Sequence, residues 1–274
     1  MKSSLRDTKE GSENSSSFAR RLATKWLGRK IVFFRELPST QDEIKRHIFS
    51  EERGLVIWAD RQTRGRGRLQ RRWYSPRGAG LYFSLLLKEP LKRPLALYSL
   101  ATAVATARAL EEVLKIPFQL KWPNDILLRG RKVGGVLLEA IPPALIVGVG
   151  LNVSFKREDF PPEIRDKATS IYEETGLIVS RARLLRAILA ELEKTYEALL
   201  TQGFQAIEAD WRARDVTVES RVVLRRGEHV FTGYALGPAP DGTLLLKTAD
   251  GIIRVHSGEI LMWAVSGWEK HRAA

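Results

Sequence analysis

The sequence predicts an α+β fold in two parts: a mixed sheet with packed helices over residues 18–215, then a small all-β barrel over residues 216–274. Three observations carry this. Apolar runs of strand length alternate in the first part with long segments of helical periodicity. After about residue 216 the helical pattern stops, and short strands follow one another across Asp-Gly turns at 241–242 and 250–251, the strongest short-range hairpin signal. A chain of 274 residues that is 44% hydrophobic and 28% charged is long enough to bury one large core and one small one.

Residues 1–17 are rich in Ser, Glu, Lys and Asp, have little to bury and are expected to be disordered. Phe18 to Leu27 reads as a short helix ending at Gly28, and IVFF at 31–34 as a strand. In PSTQDEIKRHI, Thr40 followed by Glu43 fits a capping box, starting a helix with Ile44, His47 and Ile48 inward. LVIWA (55–59) and GLYFSLLL (80–87) are buried strands separated by a long arginine-rich segment. Residues 95–114 place Leu97, Leu100, Val104, Leu110 and Leu114 at helical spacing, and Pro117 follows as a stop. ILLR and KVGGVLLEA flank a tight turn at Arg129-Gly130, and ALIVGVGLNV (144–153) is a further strand. Ser180 caps a helix to about Leu200, with Leu185, Leu189, Leu192, Tyr196 and Leu199 inward. VVLRRG, FTGYALG, TLLLKT and IIRVHSGEIL are the strands of the barrel.

Composition narrows the chemistry. There are no cysteines, which excludes disulfides, thiolate nucleophiles and thiolate-bound zinc. His47, His229, His256 and His271 lack metal-ligand spacing. No apolar run approaches the ~18–20 residues of a membrane span, and the N-terminus lacks a signal peptide's apolar stretch. A cytoplasmic enzyme without a membrane partner is expected. The net charge of +13 points to acidic partners such as nucleotide phosphates, nucleic acid or an acidic protein.

Three stretches concentrate functional residues. RGRGRLQRRW at 64–73 holds five arginines and two glycines, and seven arginines fall between 61 and 77 with no acid among them. The segment lies between two strands rather than at a terminus, which suits a loop that closes on an anion, while an RG-rich nucleic-acid contact is the alternative. KWPND at 121–125 puts a turn at Pro123-Asn124 and starts a strand at Asp125. The hairpin that follows brings Lys132 back towards Asp125, beside the bare backbone of Gly134-Gly135; an ordinary surface lysine is the alternative. GVGLNV at 148–153 offers glycines for close approach and a polar tip at Asn152, although sheet packing also explains the glycines.

Taken in order, RGRGRxxRxW, KWPND, K-x-G-G-V-L-x-E and G-x-G-x-N resemble the biotin protein ligase family. The resemblance runs from about residue 30 to the end of the chain and includes HSGEI at 256–260, with STQ at 39–41 in place of the family's Ser-Thr-Asn. It implies a class II synthetase-like catalytic domain followed by an SH3-like β domain. The implied activity joins biotin to ATP, giving biotinyl-5′-AMP and pyrophosphate, then transfers biotin to a lysine of a biotin carboxyl carrier protein. Mg²⁺ is the implied companion of ATP, with its ligands unassigned.

By the same resemblance, Ser39, Thr40, Gln41, Gln62, Arg66, Gly67, Arg68, Lys132 and Gly135 line the biotin site. Arg66, Arg68, Trp73, Lys121, Asn124, Lys132 and Asn152 face the nucleotide. The catalytic set is Lys132, Asp125 and Arg68: Lys132 holds charge on carboxylate and phosphate, and Asp125 either helps deprotonate the acceptor lysine or organises metal. Trp73 shuts out water, and the arginine loop is expected to be mobile before ligand binds. Gln41 is the departure that puts one contact in question.

The chain ahead of Ser39 is shorter than a winged helix-turn-helix needs, so the resemblance implies the monofunctional type, without DNA binding. Octanoyltransferases need a cysteine nucleophile, and lipoate ligases lack the RGRGRxxRxW and KWPND pair. A homodimer pairing across ALIVGVGLNV at an exposed sheet edge is also expected.

Overall fold

The computed structural model describes residues 22–51, 53–88 and 92–264. Its first sheet contains β1 (Ile31–Phe34), β2 (Val56–Ala59), β3 (Gly80–Lys88), β4 (Gln119–Lys121), β5 (Asp125–Leu128), β6 (Arg131–Ile141) and β7 (Ala144–Asn152). The strand order is β1-β2-β3-β7-β6-β5-β4. Only β1 and β2 run parallel; the other neighbours are antiparallel, making the sheet mixed.

β3 and β7 are apolar on both faces because both faces are covered. Helices α2 (Leu95–Leu114) and α4 (Arg181–Gln202) pack on one side, where Leu81, Phe83, Leu145, Val147 and Val149 join their core. Helix α1 (Thr40–Lys45) covers the other with Ile44, alongside Leu37, Ile48, Leu86 and Ile146. Two short helices, α3 (Ile171–Thr175) and α5 (Glu208–Arg214), complete this part. Ser180 caps α4 by accepting the Arg183 N–H, as the sequence predicts.

The second sheet contains β8 (Arg221–Arg226), β9 (His229–Pro238), β10 (Leu244–Thr248), β11 (Gly251–Val255) and β12 (Glu259–Ala264), in the order β11-β10-β9-β8-β12, all antiparallel. Its inward residues Val222, Leu224, Leu244 and Leu246 share one apolar cluster with Leu97 and Trp122. The Trp122 Nε1–H donates to the Gly242 carbonyl at 3.2 Å, fastening the two sheets together. Among the described residues no helix is long and apolar enough to cross a membrane.

Several expectations need correction. The expected disordered segment 1–17 and residues 18–21 of the first helix lie outside the described residues, and 22–27 are irregular instead of helical. The Glu193 carboxylate explains the irregular path: it accepts the backbone N–H groups of Lys25, Trp26 and Leu27 at 2.6, 2.8 and 2.8 Å.

The capping box does not form. Ser39 is the N-cap of α1, and Thr40 is its first helical residue, turned towards Gln62 and Ser84. ALIVGVGLNV is no edge strand, because β7 is paired with β3 on one side and β6 on the other. IIRVHSGEIL divides into β11 and β12 at residues 256–258.

Candidate functional site

Because side chains alternate along a strand, the α1 face of the sheet is lined by every second residue. Across β3, β7 and β6 this produces two rows, Ser84–Gly148–Leu137 and Tyr82–Gly150–Gly135. Small residues at their middle leave a hollow. At Gly148 a Cβ would lie 2.9 Å from Gln41 Oε1, and at Gly150 one would lie 2.6 Å from the Trp73 indole. The glycines of GVGLNV therefore admit two side chains of this same molecule, one from α1 and one from the arginine loop.

A cavity of about 530 Å³ opens over this hollow. Ser39, Thr40, Gln41, Gln62, Arg66, Gly67, Arg68, Trp73, Lys121, Asn124, Asp125, Lys132, Gly135 and Asn152 all line it. The structure thus brings together every site residue named from the sequence, although their individual roles differ in how ready they are for a ligand.

The arginine loop is a pinned hairpin. Its arms are joined by Gln62 N–H to Ser75 O (3.1 Å), Trp73 N–H to Gly65 O (2.9 Å) and Gly67 N–H to Arg71 O (2.7 Å). Gly65 is obligatory, since a Cβ there would meet the Trp73 carbonyl at 2.4 Å. At the tip, Leu69 and Gln70 take left-handed conformations around a single 3₁₀ turn, the one regular element in a segment expected to have none.

Four of the seven arginines meet acids: Arg61 and Arg77 meet Glu36, Arg66 meets Asp42 and Glu139, and Arg71 meets Glu259. Arg68 differs. Its guanidinium is largely buried and its hydrogen-bond partners among the described residues are neutral, Asn124 Oδ1 at 3.1 Å and the Gly258 carbonyl at 3.3 Å. Burial pulls its pKa below the usual arginine value, against the attraction of Asp125 and Glu259. A buried guanidinium without a carboxylate in contact is poised for an anion.

Lys132 reaches the cavity because of a β-bulge. Asp125 pairs with Gly135, and Ile126 with Gly134, but Leu127 pairs with Lys132, leaving Val133 extra. In an unbulged strand the alternation of side chains would turn Lys132 to the opposite face. Instead Lys132 Nζ lies 2.5 Å from Asp125 Oδ1 and 5.4 Å from the centre of the Trp73 ring. Lys121 Nζ stands 3.4 Å from Asp125 Oδ2, so each carboxylate oxygen has its own lysine. Burial acts to raise the Asp125 pKa, but Lys132 and Lys121 together hold it below the usual carboxylate range.

The remaining polar residues divide in two. Gln62 is occupied in bracing: its Oε1 accepts from Thr40 N–H and Oγ1–H at 2.8 and 3.2 Å, and its Nε2 donates to Ser75 Oγ. Asn124 donates to the Val136 carbonyl and Asn152 to that of Thr169. By contrast Ser39 Oγ, Gln41 Oε1 and Trp73 Nε1 are buried without a hydrogen-bond partner among the described residues. Such atoms cost stability unless something satisfies them.

Sequence reasoning assigned no role to Asp42, Glu139, Ser75 or Glu259, all of which hold the site's parts in place. Glu139 carried a signal, being four residues beyond Gly135 on the same strand face. Glu259 carried none of that kind, because it arrives from the second sheet.

Comparison with known proteins finds relatives over most of the chain. Residues 33–155 match the model of the biotin/lipoate A/B protein ligase family, and residues 217–263 that of the biotin protein ligase C-terminal domain. The chain is 36% identical over 262 residues to the bifunctional ligase/repressor BirA of Bacillus subtilis, covering 92% of this chain and 80% of that protein. It is 33% identical over 218 residues to the biotin--[acetyl-CoA-carboxylase] ligase of Mycobacterium tuberculosis, covering 76% and 79%. The biotin protein ligase from Aquifex aeolicus in complex with biotin and ATP superposes with a TM-score of 0.78 at 36% identity, over 87% of this chain and all of that one.

Proposed function

The chain belongs to the biotin protein ligase family, and from that membership we propose that it activates biotin with ATP and passes it to a carrier-protein lysine. In the first step a biotin carboxylate oxygen attacks the α-phosphorus of ATP, and the bond to pyrophosphate breaks. In the second, the acceptor ε-amine, having lost a proton, attacks the acyl carbon and AMP leaves. The observation that carries the reading is the division of one cavity: unpartnered polar atoms of Ser39 and Gln41 lie on the α1 side, and Arg68, Lys121 and Lys132 supply the cations. A neutral, hydrogen-bonding ring and a crowded set of anions suit those two regions.

Ser39, Thr40 and Gln41 take the ureido ring, with Gln62 fixing Thr40. Lys132 and Arg68 hold the carboxylate and α-phosphate, whose mutual repulsion otherwise opposes the attack; such preorganised donors act most strongly where charge develops. Gly67 and Gly135 bring backbone close to the adenylate, and Lys121, Asn124 and Asn152 line the nucleotide side. Trp73 closes over Gly150 and excludes water from the mixed anhydride. Arg66, salt-bridged to Asp42 and Glu139, meets phosphate only by exchanging those partners.

The described residues hold no group of three or more His, Cys, Asp and Glu side chains placed for a metal, and each Asp125 oxygen has a lysine. Mg²⁺ bound to the phosphates of ATP would supply charge neutralisation there, beside Arg68, Lys121 and Lys132. With both oxygens engaged, Asp125 positions Lys132 and, once Lys132 turns to the ligand, offers a carboxylate to the incoming amine.

The acceptor is the carrier protein of acetyl-CoA carboxylase, after the description of the mycobacterial relative. Residues 18–215 form the catalytic part and 216–274 the C-terminal β part. A homodimer, to be measured by light scattering, would use a surface other than β7.

The testing experiment is pyrophosphate release from ATP with Mg²⁺, comparing biotin, lipoate, octanoate and no acid. Release that needs biotin establishes the reading. Release with lipoate or octanoate alone moves the substrate, and no acid-dependent release from folded protein overturns it.

A further inference from the structure

Glu139 is the meeting point of three segments. Its Oε2 accepts from Gln41 Nε2 at 3.1 Å and Arg66 Nη1 at 3.1 Å. Its Oε1 accepts from Lys45 Nζ at 3.2 Å and Arg66 Nη2 at 2.8 Å. Helix α1, the arginine loop and β6 are thus tied at one carboxylate. Of the groups it holds, Gln41 is the buried one, and it lines the cavity.

We propose that Glu139 is a positioning residue that sets ligand selectivity by fixing which end of the Gln41 amide faces the cavity. This rests on the ligase reading above and deepens it. Gln41 Nε2 has two neighbours, Glu139 Oε2 and the Leu137 carbonyl at 3.4 Å, and both accept only. The nitrogen must therefore point at them, which turns the oxygen to Gly148 in the cavity wall, where it has no partner among the described residues. The longer side chain at position 41 makes this possible, because its amide spans from α1 to β6. A ligand seated there has to present an N–H donor. A ureido ring does so, whereas a dithiolane or an alkyl end leaves the acceptor buried and unpaired. Removing the Glu139 charge by Glu139→Gln replaces the nearer acceptor with an amide that also donates, leaving the Leu137 carbonyl at 3.4 Å as the one obligate acceptor, so the Gln41 amide turns more readily.

The test measures kcat and KM for biotin in pyrophosphate release by wild type, Glu139→Gln, Gln41→Ala and the double variant. The expected result is a KM for biotin raised roughly 5- to 100-fold in Glu139→Gln, the range for one unpaired buried polar group, with kcat within about threefold. In the Gln41→Ala background Glu139→Gln should add nothing to the biotin KM, since interacting residues are non-additive. A biotin KM unmoved by Glu139→Gln, or moved equally in both backgrounds, overturns the inference while leaving the ligase reading intact. Wild-type protein without biotin-dependent release overturns both. If Glu139→Gln does not fold, Glu139→Asp withdraws the carboxylate by one methylene with its charge kept, and the same two outcomes decide.

Discussion

The guanidinium of Arg71 meets both carboxylate oxygens of Glu259, at 2.5 and 2.6 Å, across the junction between the arginine loop and the second sheet. Arg225 shares the same carboxylate at 3.1 Å, and Arg68 reaches the neighbouring Gly258 carbonyl. The second sheet therefore holds the outer arm of the loop that closes the cavity. Replacing Glu259 by Gln should raise the rate of tryptic cleavage within residues 64–72 by roughly two- to fivefold, the range for an exposed ion pair. Cleavage at the wild-type rate would show that the pair does not restrain the loop.

Lys132→Ala should lower the rate of biotin-dependent pyrophosphate release by about 10²- to 10³-fold, the usual loss for one preorganised electrostatic donor. Unchanged binding of biotin alone would place the loss in the chemical step. Activity within tenfold of wild type would remove Lys132 from the reaction.

Asp125 yields a prediction about pH. Burial pushes its pKa up, and Lys132 and Lys121 more than offset that, so the carboxylate stays ionised well into the acid range. Lys121→Met removes one of the two cations, and the Asp125 pKa rises. The acid limb of the activity profile should then move to higher pH. A limb that stays in place would mean that another group sets it.

Gly150→Ala tests the seat of Trp73. The new Cβ would come within 2.6 Å of the indole, so the ring must leave its place against β7. A red-shifted tryptophan emission and faster hydrolysis of biotinyl-5′-AMP are expected, with the rate of adenylate formation affected less. An unaltered spectrum and hydrolysis rate would contradict the lid role.

Glu193 bears on stability. Three backbone N–H groups donate to its carboxylate and, against the upward pull of burial, hold its pKa below the ordinary glutamate value. A depressed folded pKa means that the stabilisation is present above the unfolded pKa and is lost as pH falls through the folded one. Glu193→Ala should cost about 1.5–3 kcal/mol at neutral pH, the scale of hydrogen bonds to a charged group. The difference from wild type should shrink in acid. A denaturant midpoint that is equally shifted at pH 7 and at pH 3 would refute the charged role.

Elements with strong local signals were legible in the chain itself. Helix α2 spans the predicted 95–114 because its apolar spacing is regular over five turns, and Arg129-Gly130 turns the hairpin because both residues adopt positive φ. Errors arose where distant groups compete with local ones. Thr40 has the pattern of a cap, yet Ser84 and Gln62 claim its hydroxyl. Residues 22–27 have helical spacing, yet Glu193, far along the chain, takes their N–H groups.

The sequence by itself determined the family and named residues that gather at one cavity, since motifs in a fixed order state which residue types are present. Tertiary structure decided what each residue is free to do. The extra Val133 turns Lys132 to the cavity, four arginines of the loop are matched by acids from other elements, and Arg68 is left with neutral partners. The reason is physical: residue identity fixes charge and hydrogen-bonding capacity, but register, burial and the partners that arrive from distant strands determine how much of that capacity is already spent.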